Sequence, residues 1–384
     1  MEDLQGKMVF IGGARQVGKT TLAREIIGKT FRTRYLNWDY REDRDIILNA
    51  RFSPDDELLI FDELHKYGRW KNYLKGLFDK KGKDYRILVT GSSRLDIYRR
   101  GGDSLLGRYF YYKLHPFSLT EIVHRGDLPS PFNLEPFGTL NFGEGKRARQ
   151  KLEELLAFGG FPEPLFTKKD DFLRRWHNMR LERVIKEDIR DIENIRDLSL
   201  MQILVDTLPS RVGSLLSTKS VAEDVSVSHK AAASWLDILE AFYYIFRIYP
   251  YRKTKIKSLK KMPKLYLCDW SEVKDMSARF ENMIASHLVK YADYLYDVLG
   301  YRAKVYFLRD VEGREIDFLV TVDEKPWFSV EVKESGKKVS RNLKYFARRE
   351  AIPYHYQVVL EEGVDYEEGG IRVISAEKFL SAFV

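Results

Sequence analysis

The stretch Gly13-Ala-Arg-Gln-Val-Gly18-Lys19-Thr20-Thr21 has the spacing G-x-x-x-x-G-K-[ST] and follows directly on the apolar run Met8–Ile11. Glycines at those positions let backbone N–H groups turn inward around phosphate oxygens. The lysine then reaches the β- and γ-phosphates, and the next hydroxyl ligates Mg²⁺. Gly13, Gly18, Lys19, Thr20 and Thr21 are therefore expected to bind ATP, with Thr20 on the metal. Glu57-Leu-Leu-Ile-Phe-Asp62-Glu63 is an apolar run ending in two carboxylates. Downstream of a phosphate loop, Asp62 is expected to hold Mg²⁺ through water and Glu63 to polarise the attacking water.

A second set of chemically capable residues lies near the other end. Phe328-Ser-Val-Glu331-Val-Lys333 alternates as a strand does, so Glu331 and Lys333 face one side. Asp317, in Arg314-Glu-Ile-Asp-Phe-Leu-Val320, is expected on a neighbouring strand, and Glu281 on an amphipathic helix that includes Arg279–Leu288. Carboxylates converging beside a lysine can bind Mg²⁺ and activate water against a phosphodiester. The set Glu281, Asp317, Glu331-Val-Lys333 resembles the restriction-endonuclease-like PD-(D/E)xK nucleases. That resemblance implies Mg²⁺ on Asp317, Glu331 and Glu281 with Lys333 as a catalytic residue. A Glu-x-Lys on an exposed strand is equally read as a cross-strand ion pair.

These groups need elements to position them. In the first part, strands are expected at Met8–Ile11, Arg34–Asp39, Glu57–Asp62, Tyr85–Thr90 and Tyr109–Leu114, with a helix from Thr21 to Ile27 after the loop. Thr90-Gly-Ser92-Ser93 ends the fourth strand and is expected beside the γ-phosphate; its other reading is a helix cap. The five strands, the phosphate loop, Asp62-Glu63, Thr90–Ser93 and Gly107-Arg108 resemble the AAA+ superfamily. The narrower resemblance is to prokaryotic AAA+-like ATPases with a C-terminal domain of unknown function. It is carried by Asp62-Glu-Leu-His-Lys66 with Trp70, Leu114-His-Pro-Phe-Ser-Leu-Thr-Glu-Ile122 and Gly159-Gly-Phe-Pro162. The resemblance implies ATP hydrolysis with Lys19, Glu63, Thr90 and Arg108 as catalytic residues. Arg108 would be a finger reaching a neighbouring subunit's γ-phosphate, and hence part of a homo-oligomer. Arg108 is also read as the partner of a surface carboxylate. Only a handful of residues precede the first strand, fewer than the N-terminal arm usual in such relatives, which leaves the base unassigned.

The Pro- and Gly-rich stretch from Asp127 to Gly145 reads as a loop leaving this core. Helical periodicity dominates from Ala148 to Leu208, with Leu152, Leu155, Leu156, Trp176, Met179, Val184, Ile185 and Ile189 on the apolar side, and resembles a helical lid. Thr218–Val225, the turn Ser226–Ser228 and His229–Glu240 give helix, turn and helix, with Ser228 as cap of the second helix. The strand Tyr243–Tyr249 and the basic segment 252–264 complete a winged-helix pattern. In such modules the second helix enters the major groove and basic wing residues hold phosphates. Here that helix offers alanines where base-reading side chains would stand, so a protein-partner role is read beside DNA contact. The domains are thus expected at 1–126, 127–208, 209–264 and 265–384. The fold class is α/β: an AAA+-like parallel sheet, a helical lid, a winged helix-turn-helix and a restriction-endonuclease-like end.

Composition narrows the rest. The 384 residues carry a net charge of +8, with a pI of about 9.1, and seven of the basic residues fall between Tyr251 and Lys264 with no acidic one. This favours an anionic partner. The single cysteine, Cys268, excludes an internal disulfide framework. The first residues lack an apolar signal core and no run approaches the ~20 residues of a membrane span, so a cytoplasmic location is expected. The leading expectation is an ATPase whose nucleotide state repositions a winged-helix and nuclease-like half on DNA. The alternative is a nucleotide-dependent switch or scaffold for a protein partner, without nuclease activity. No acceptor pocket for a small-molecule kinase is evident.

Overall fold

The computed structural model describes residues 1–91, 105–124, 138–140, 142, 148–183, 198–251 and 262–384. Ser92 and Ser93, the Asp127–Asn133 loop, Val184, Ile185 and Ile189, and basic residues 252–261 lie outside the described residues. Two compact units emerge: Met1–His115 with Ala241–Tyr243, and Pro116–Glu240 with Tyr244–Val384. The helical region, the helix-turn-helix and residues 265–384 fall in one unit, where the sequence suggested three.

In the first unit, strands β1 (Met8–Gly13), β2 (Thr33–Asn37), β3 (Leu58–Asp62), β4 (Arg86–Thr90) and β5 (Tyr109–Leu114) form one sheet in the order β2-β3-β4-β1-β5. Every pairing is parallel. β1 and β3 are buried along their whole length, because helices cover both faces of such a sheet and leave no polar face to alternate. One core holds Phe10, Phe61, Trp70, Leu74 and Val89; the other face packs Val9, Ile11, Leu58, Ile60 and Leu88. Helix α1 (Lys19–Thr21) runs into a π-type turn at Leu22–Ile27 and a 3₁₀ turn at Gly28–Thr30. The helical periodicity after the loop is therefore real, while the turn type departs from a plain α-helix. α2 (Arg41–Leu48) and α3 (Trp70–Lys81) complete the layers.

The second unit begins with helices α4 (Leu119–His124), α5 (Ala148–Phe158), α6 (Pro162–Thr167), α7 (Asp170–Arg183) and α8 (Leu198–Thr207). Helices α9 (Thr218–Asp224) and α10 (His229–Ala241) follow, and the serines before them act as N-caps: Ser220 N donates to Ser217 Oγ at 3.2 Å, Ala231 N to Ser228 Oγ at 3.1 Å. Strands β6 (Ile245–Pro250) and β7 (Lys264–Leu267) then form an antiparallel pair. α11 (Met276–Asp297), β8 (Ala303–Arg309), β9 (Glu315–Val322), β10 (Lys325–Lys333), α12 (Arg341–Ala347), β11 (Tyr354–Val359), β12 (Asp365–Glu368), β13 (Ile371–Ser375) and α13 (Ala376–Leu380) complete the described chain. The eight strands of this unit make one sheet, β12-β13-β11-β10-β9-β8-β6-β7. β6 pairs with β8 in parallel, so the hairpin after the helix pair belongs to the same sheet as β9 and β10.

Candidate functional site

Between β1 and α1 the chain closes a tight loop. Gly13 has φ +153, and a Cβ there would stand 2.4 Å from the carbonyl oxygen of Leu114 on the adjacent strand. Gly18 (φ +106) and Gln16 (φ +62) are left-handed as well. Such a backbone turns successive N–H groups toward one concavity, which is how a chain without a side-chain anion trap cradles phosphate. Lys19 is buried, 7% exposed, and donates to the carbonyls of Gly13 at 3.0 Å and Ala14 at 2.7 Å. Its ammonium is thus held over the loop. Thr21 follows in the same helical turn and is exposed.

Asp62 ends β3 at the same edge of the sheet. Oδ2 accepts from Thr20 Oγ1 at 3.1 Å and Tyr35 OH at 2.6 Å, and Oδ1 accepts from Thr90 Oγ1 at 2.6 Å. Three hydroxyls from α1, β2 and β4 therefore converge on one buried carboxylate. Asp62 and Thr90 are register partners in β3 and β4, and the Glu63 N–H donates to the Thr90 carbonyl at 3.0 Å. Thr90 directs its hydroxyl to Asp62; of the other hydroxyls read as a helix cap, Ser92 and Ser93 lie outside the described residues.

Glu63 adopts φ +56, a left-handed conformation that non-glycine residues hold at a cost and that clusters at functional sites. Burial pushes its carboxyl up to about 7 and the Asp62 charge adds to this, against Lys19, Lys66 and Arg15. His65 Nε2 stands 3.4 Å from Glu63 Oε2. The partners Tyr35 and His65 were not foreseen: a tyrosine inside a strand and a histidine after two acids carry no spacing signal of their own.

Arg108 immediately precedes β5, and its carbonyl accepts from Met8 N at 3.0 Å. It thus sits at the strand end opposite the phosphate loop. Its guanidinium pairs in bidentate fashion with Asp79, at 2.7 and 3.0 Å. This is the surface-carboxylate reading; a finger role would concern a neighbouring subunit's nucleotide.

The residues fit a Mg²⁺-nucleotide. The left-handed Gln16 and Gly18 turn the loop inward, a buried ammonium is held over it, and the hydroxyl of Thr20 adjoins an acid. Residues 5–123 match the family profile described as AAA domain. This part of the chain is an AAA-like P-loop domain. Residues 149–279 and 276–379 match two further families, each described as a domain of unknown function, DUF8612 and DUF4143. The whole chain is 23% identical over 372 residues to the uncharacterized protein MJ1544 of Methanocaldococcus jannaschii, covering 90% of this chain and 79% of that one. An uncharacterized protein of Haemophilus influenzae is 21% identical, covering 95% and 92%. The uncharacterized M. jannaschii protein MJ1637 is 25% identical over 69% of this chain, which spans 61% of its length. Among solved structures, the S. cerevisiae Hsp104-ADP complex is 14% identical with a TM-score of 0.28, over 62% of this chain and 37% of that one. Drosophila ORC bound to AT-rich DNA and Cdc6 is 10% identical with a TM-score of 0.22, over 69% and 82%. Likenesses at those scores carry no functional argument.

The second constellation lies wholly in the second unit. Glu281, Asp317 and Lys333, with Ser277, Phe280, Val332 and Glu334, line a cavity of about 450 Å³. Lys333 Nζ is 2.9 Å from Glu331 Oε1, so these two face one side as the alternation required. Ser340 Oγ also donates to that oxygen, at 2.9 Å. Burial and the nearby Asp317 charge raise the carboxyls of both Glu281 and Glu331. One residue of the expected basic wing is displaced from its anticipated role. Lys264 is 3% exposed, and its ammonium lies 2.7 Å from Glu315, 3.2 Å from Asp317 and 3.3 Å from Glu281. It does not face solvent to meet a phosphate, because Ile248 pairs with it on β6 and its stem points into the acids. Burial pulls this ammonium down, and the Asp317, Glu281 and Glu315 charges together outweigh it, leaving it above its ordinary value. Among the described residues, no three His, Cys, Asp or Glu side chains form a group able to hold a metal ion. No described helix is long and apolar enough to cross a membrane.

Proposed function

We propose that this chain is a Mg²⁺-dependent ATPase whose nucleotide state governs what the second unit engages, with DNA as the leading partner. The observation that carries the ATPase clause is Asp62: one buried carboxylate accepts from Thr20, Tyr35 and Thr90, with Glu63 beside it. ATP would lie in the Gly13–Gly18 cradle with Lys19 on its β- and γ-phosphates and Thr21 in the adjoining helical turn. Thr20 and, through water, Asp62 would hold Mg²⁺, which when bound offsets charge on the phosphates. Glu63 orients a water and takes its proton as the oxygen bonds to the γ-phosphorus and the bond to the β-γ bridging oxygen breaks, leaving ADP and phosphate. Thr90 aligns Asp62 through its hydroxyl. Arg108 would act in trans, within a homo-oligomer.

DNA engagement is supported by the net charge of +8 and the basic run beginning at Arg252, together with the α9-turn-α10 and hairpin order of a winged helix. Glu281, Asp317, Glu331 and Lys333 would belong to a nuclease-like fold, and a cytoplasmic location suits both halves. A second reading, a nucleotide-governed platform for a protein partner, is favoured by Ala231, Ala232 and Ala233 in the first turns of α10 and by the burial of Lys264.

The test is steady-state ATP hydrolysis by wild type and Glu63→Gln, with and without duplex and single-stranded DNA. Turnover that DNA stimulates and Glu63→Gln removes supports the DNA-acting reading. Turnover indifferent to DNA favours the protein-partner platform, and no turnover under any condition sinks the ATPase clause.

A further inference from the structure

The second unit carries a carboxylate cluster that already contains a cation. The Lys264 ammonium reaches Glu315, Asp317 and Glu281, each within 3.3 Å, which uses the three donors an ammonium has. Several of the acceptor positions are also engaged, while Glu331 Oε2 is buried without a hydrogen-bond partner. Tyr266 OH donates to Glu281 Oε1 at 2.8 Å, and the Val332 N–H donates to Asp317 Oδ2 at 2.9 Å. Glu331 is matched by Lys333 and Ser340. A divalent ion entering between Glu281 and Asp317 would meet a buried ammonium at contact range, with Glu281 Oε1 and both Asp317 oxygens already shared.

The lysine is also anchored. Lys264 pairs with Ile248 on β6 and bridges to Leu215 on its other side. The flanking Leu216 N donates to Pro263 O at 2.7 Å, and Leu265 N to Ser214 O at 3.2 Å. Its backbone is held from both edges, so the side chain enters the cluster from a fixed root.

We infer that Lys264 is the resident cation of the Glu281, Glu315 and Asp317 cluster, and that this site takes no divalent metal while Lys264 is in place. The residues that resemble a metal nuclease therefore do not fit its metal, and the cluster is a lysine-neutralised version of that site. Removing the lysine side chain leaves Glu281 and Asp317 without their cation on one wall of the cavity, with Glu315 still paired to Arg309 at 2.9 Å; facing carboxylates of that kind are what a divalent ion requires.

Mn²⁺ binding to the full chain without nucleotide, followed by the loss of the free-ion electron paramagnetic resonance signal, tests this directly. Wild type and Asp317→Asn should bind the same number of ions. Lys264→Ala should bind one more, at least 10-fold more tightly than any residual surface binding, and the gain should vanish in Lys264→Ala with Asp317→Asn. An ion held by wild type and lost in Asp317→Asn overturns the inference, as does a folded Lys264→Ala that gains none. Lys264→Met replaces the alanine variant if circular dichroism shows that one unfolded, and Glu281→Gln serves likewise for Asp317→Asn. Duplex DNA cut by wild type in Mn²⁺ but not by Asp317→Asn also overturns it.

Discussion

The Thr90 hydroxyl donates to Asp62 Oδ1 at 2.6 Å across two strands in which these residues are register partners. The acid at the end of β3 is thereby oriented by its neighbour strand rather than by solvent. Its other oxygen serves Thr20 and Tyr35, so a change at any of the three hydroxyls is felt at one carboxylate.

Thr90→Val keeps the shape and removes this donor. Loss of a hydrogen bond to a buried charged group costs about 1–3 kcal/mol, so a lower urea midpoint is expected. The Mg²⁺ concentration needed for half-maximal ATP hydrolysis should rise at the same time. Tyr35→Phe should shift the same two quantities in the same direction. A Thr90→Val variant with unchanged Mg²⁺ dependence would show that Asp62 is oriented by other means.

Glu63 predicts a pH dependence of definite sign. Its carboxyl has an ordinary value of 4.5 and is pushed up to about 7 in the folded chain. The folded state therefore binds the extra proton between those values, so stability falls as pH rises from 4.5 through about 7 and levels off above it, where the buried group carries its charge. Glu63→Gln should stabilise the nucleotide-free protein more at pH 8 than at pH 5, by on the order of 2 kcal/mol. Urea melts at the two pH values check this. Hydrolysis by wild type should rise through pH 7, because the base must be deprotonated, and Glu63→Gln should lose at least about 100-fold in turnover while still binding ATP.

Gly13→Ala meets a backbone oxygen rather than a movable side chain, with Leu114 O 2.4 Å from the added Cβ. Distorting the loop to admit it costs on the order of 1–3 kcal/mol. ATP affinity, read by fluorescent-nucleotide titration, should fall with it. An alanine variant with wild-type affinity would mean that the loop's glycine is not what shapes the cradle.

Arg108 lies at the strand end away from the phosphate loop of its own chain and pairs with Asp79. Arg108→Ala should leave the melting temperature and the turnover of dilute protein unchanged. If the trans role holds, wild-type turnover per chain climbs with protein concentration and that climb is absent in the variant. A concentration series for the two proteins decides between them.

Much of the first unit was legible because its signals are local. A phosphate loop demands glycines at set spacing, and strands buried on both faces read as unbroken apolar runs, as Leu58–Phe61 does. The cap at Ser228 and the same-side placement of Glu331 and Lys333 follow equally from short-range rules. What could not be read depends on residues distant in sequence. Lys264 looked like part of a solvated basic run because its acidic partners lie 17, 51 and 53 positions further on, at Glu281, Glu315 and Asp317. Arg180 sat in a mixed-charge helix, yet it is 2% exposed, packed against Phe161, Trp176 and Tyr244 and paired with Glu272 at 2.9 Å. Periodicity places such a helix but cannot tell which charge turns inward.

The segment entering the α9–α10 helix pair bridges to β7 at Val212 and Leu215, and the strand leaving it, β6, lies along β7 as well. Both ends of the helix pair are therefore stitched to the strand that carries Lys264. The helix pair is thus an excursion from the sheet whose two ends share one base strand, the strand whose Lys264 ammonium lies among the acids.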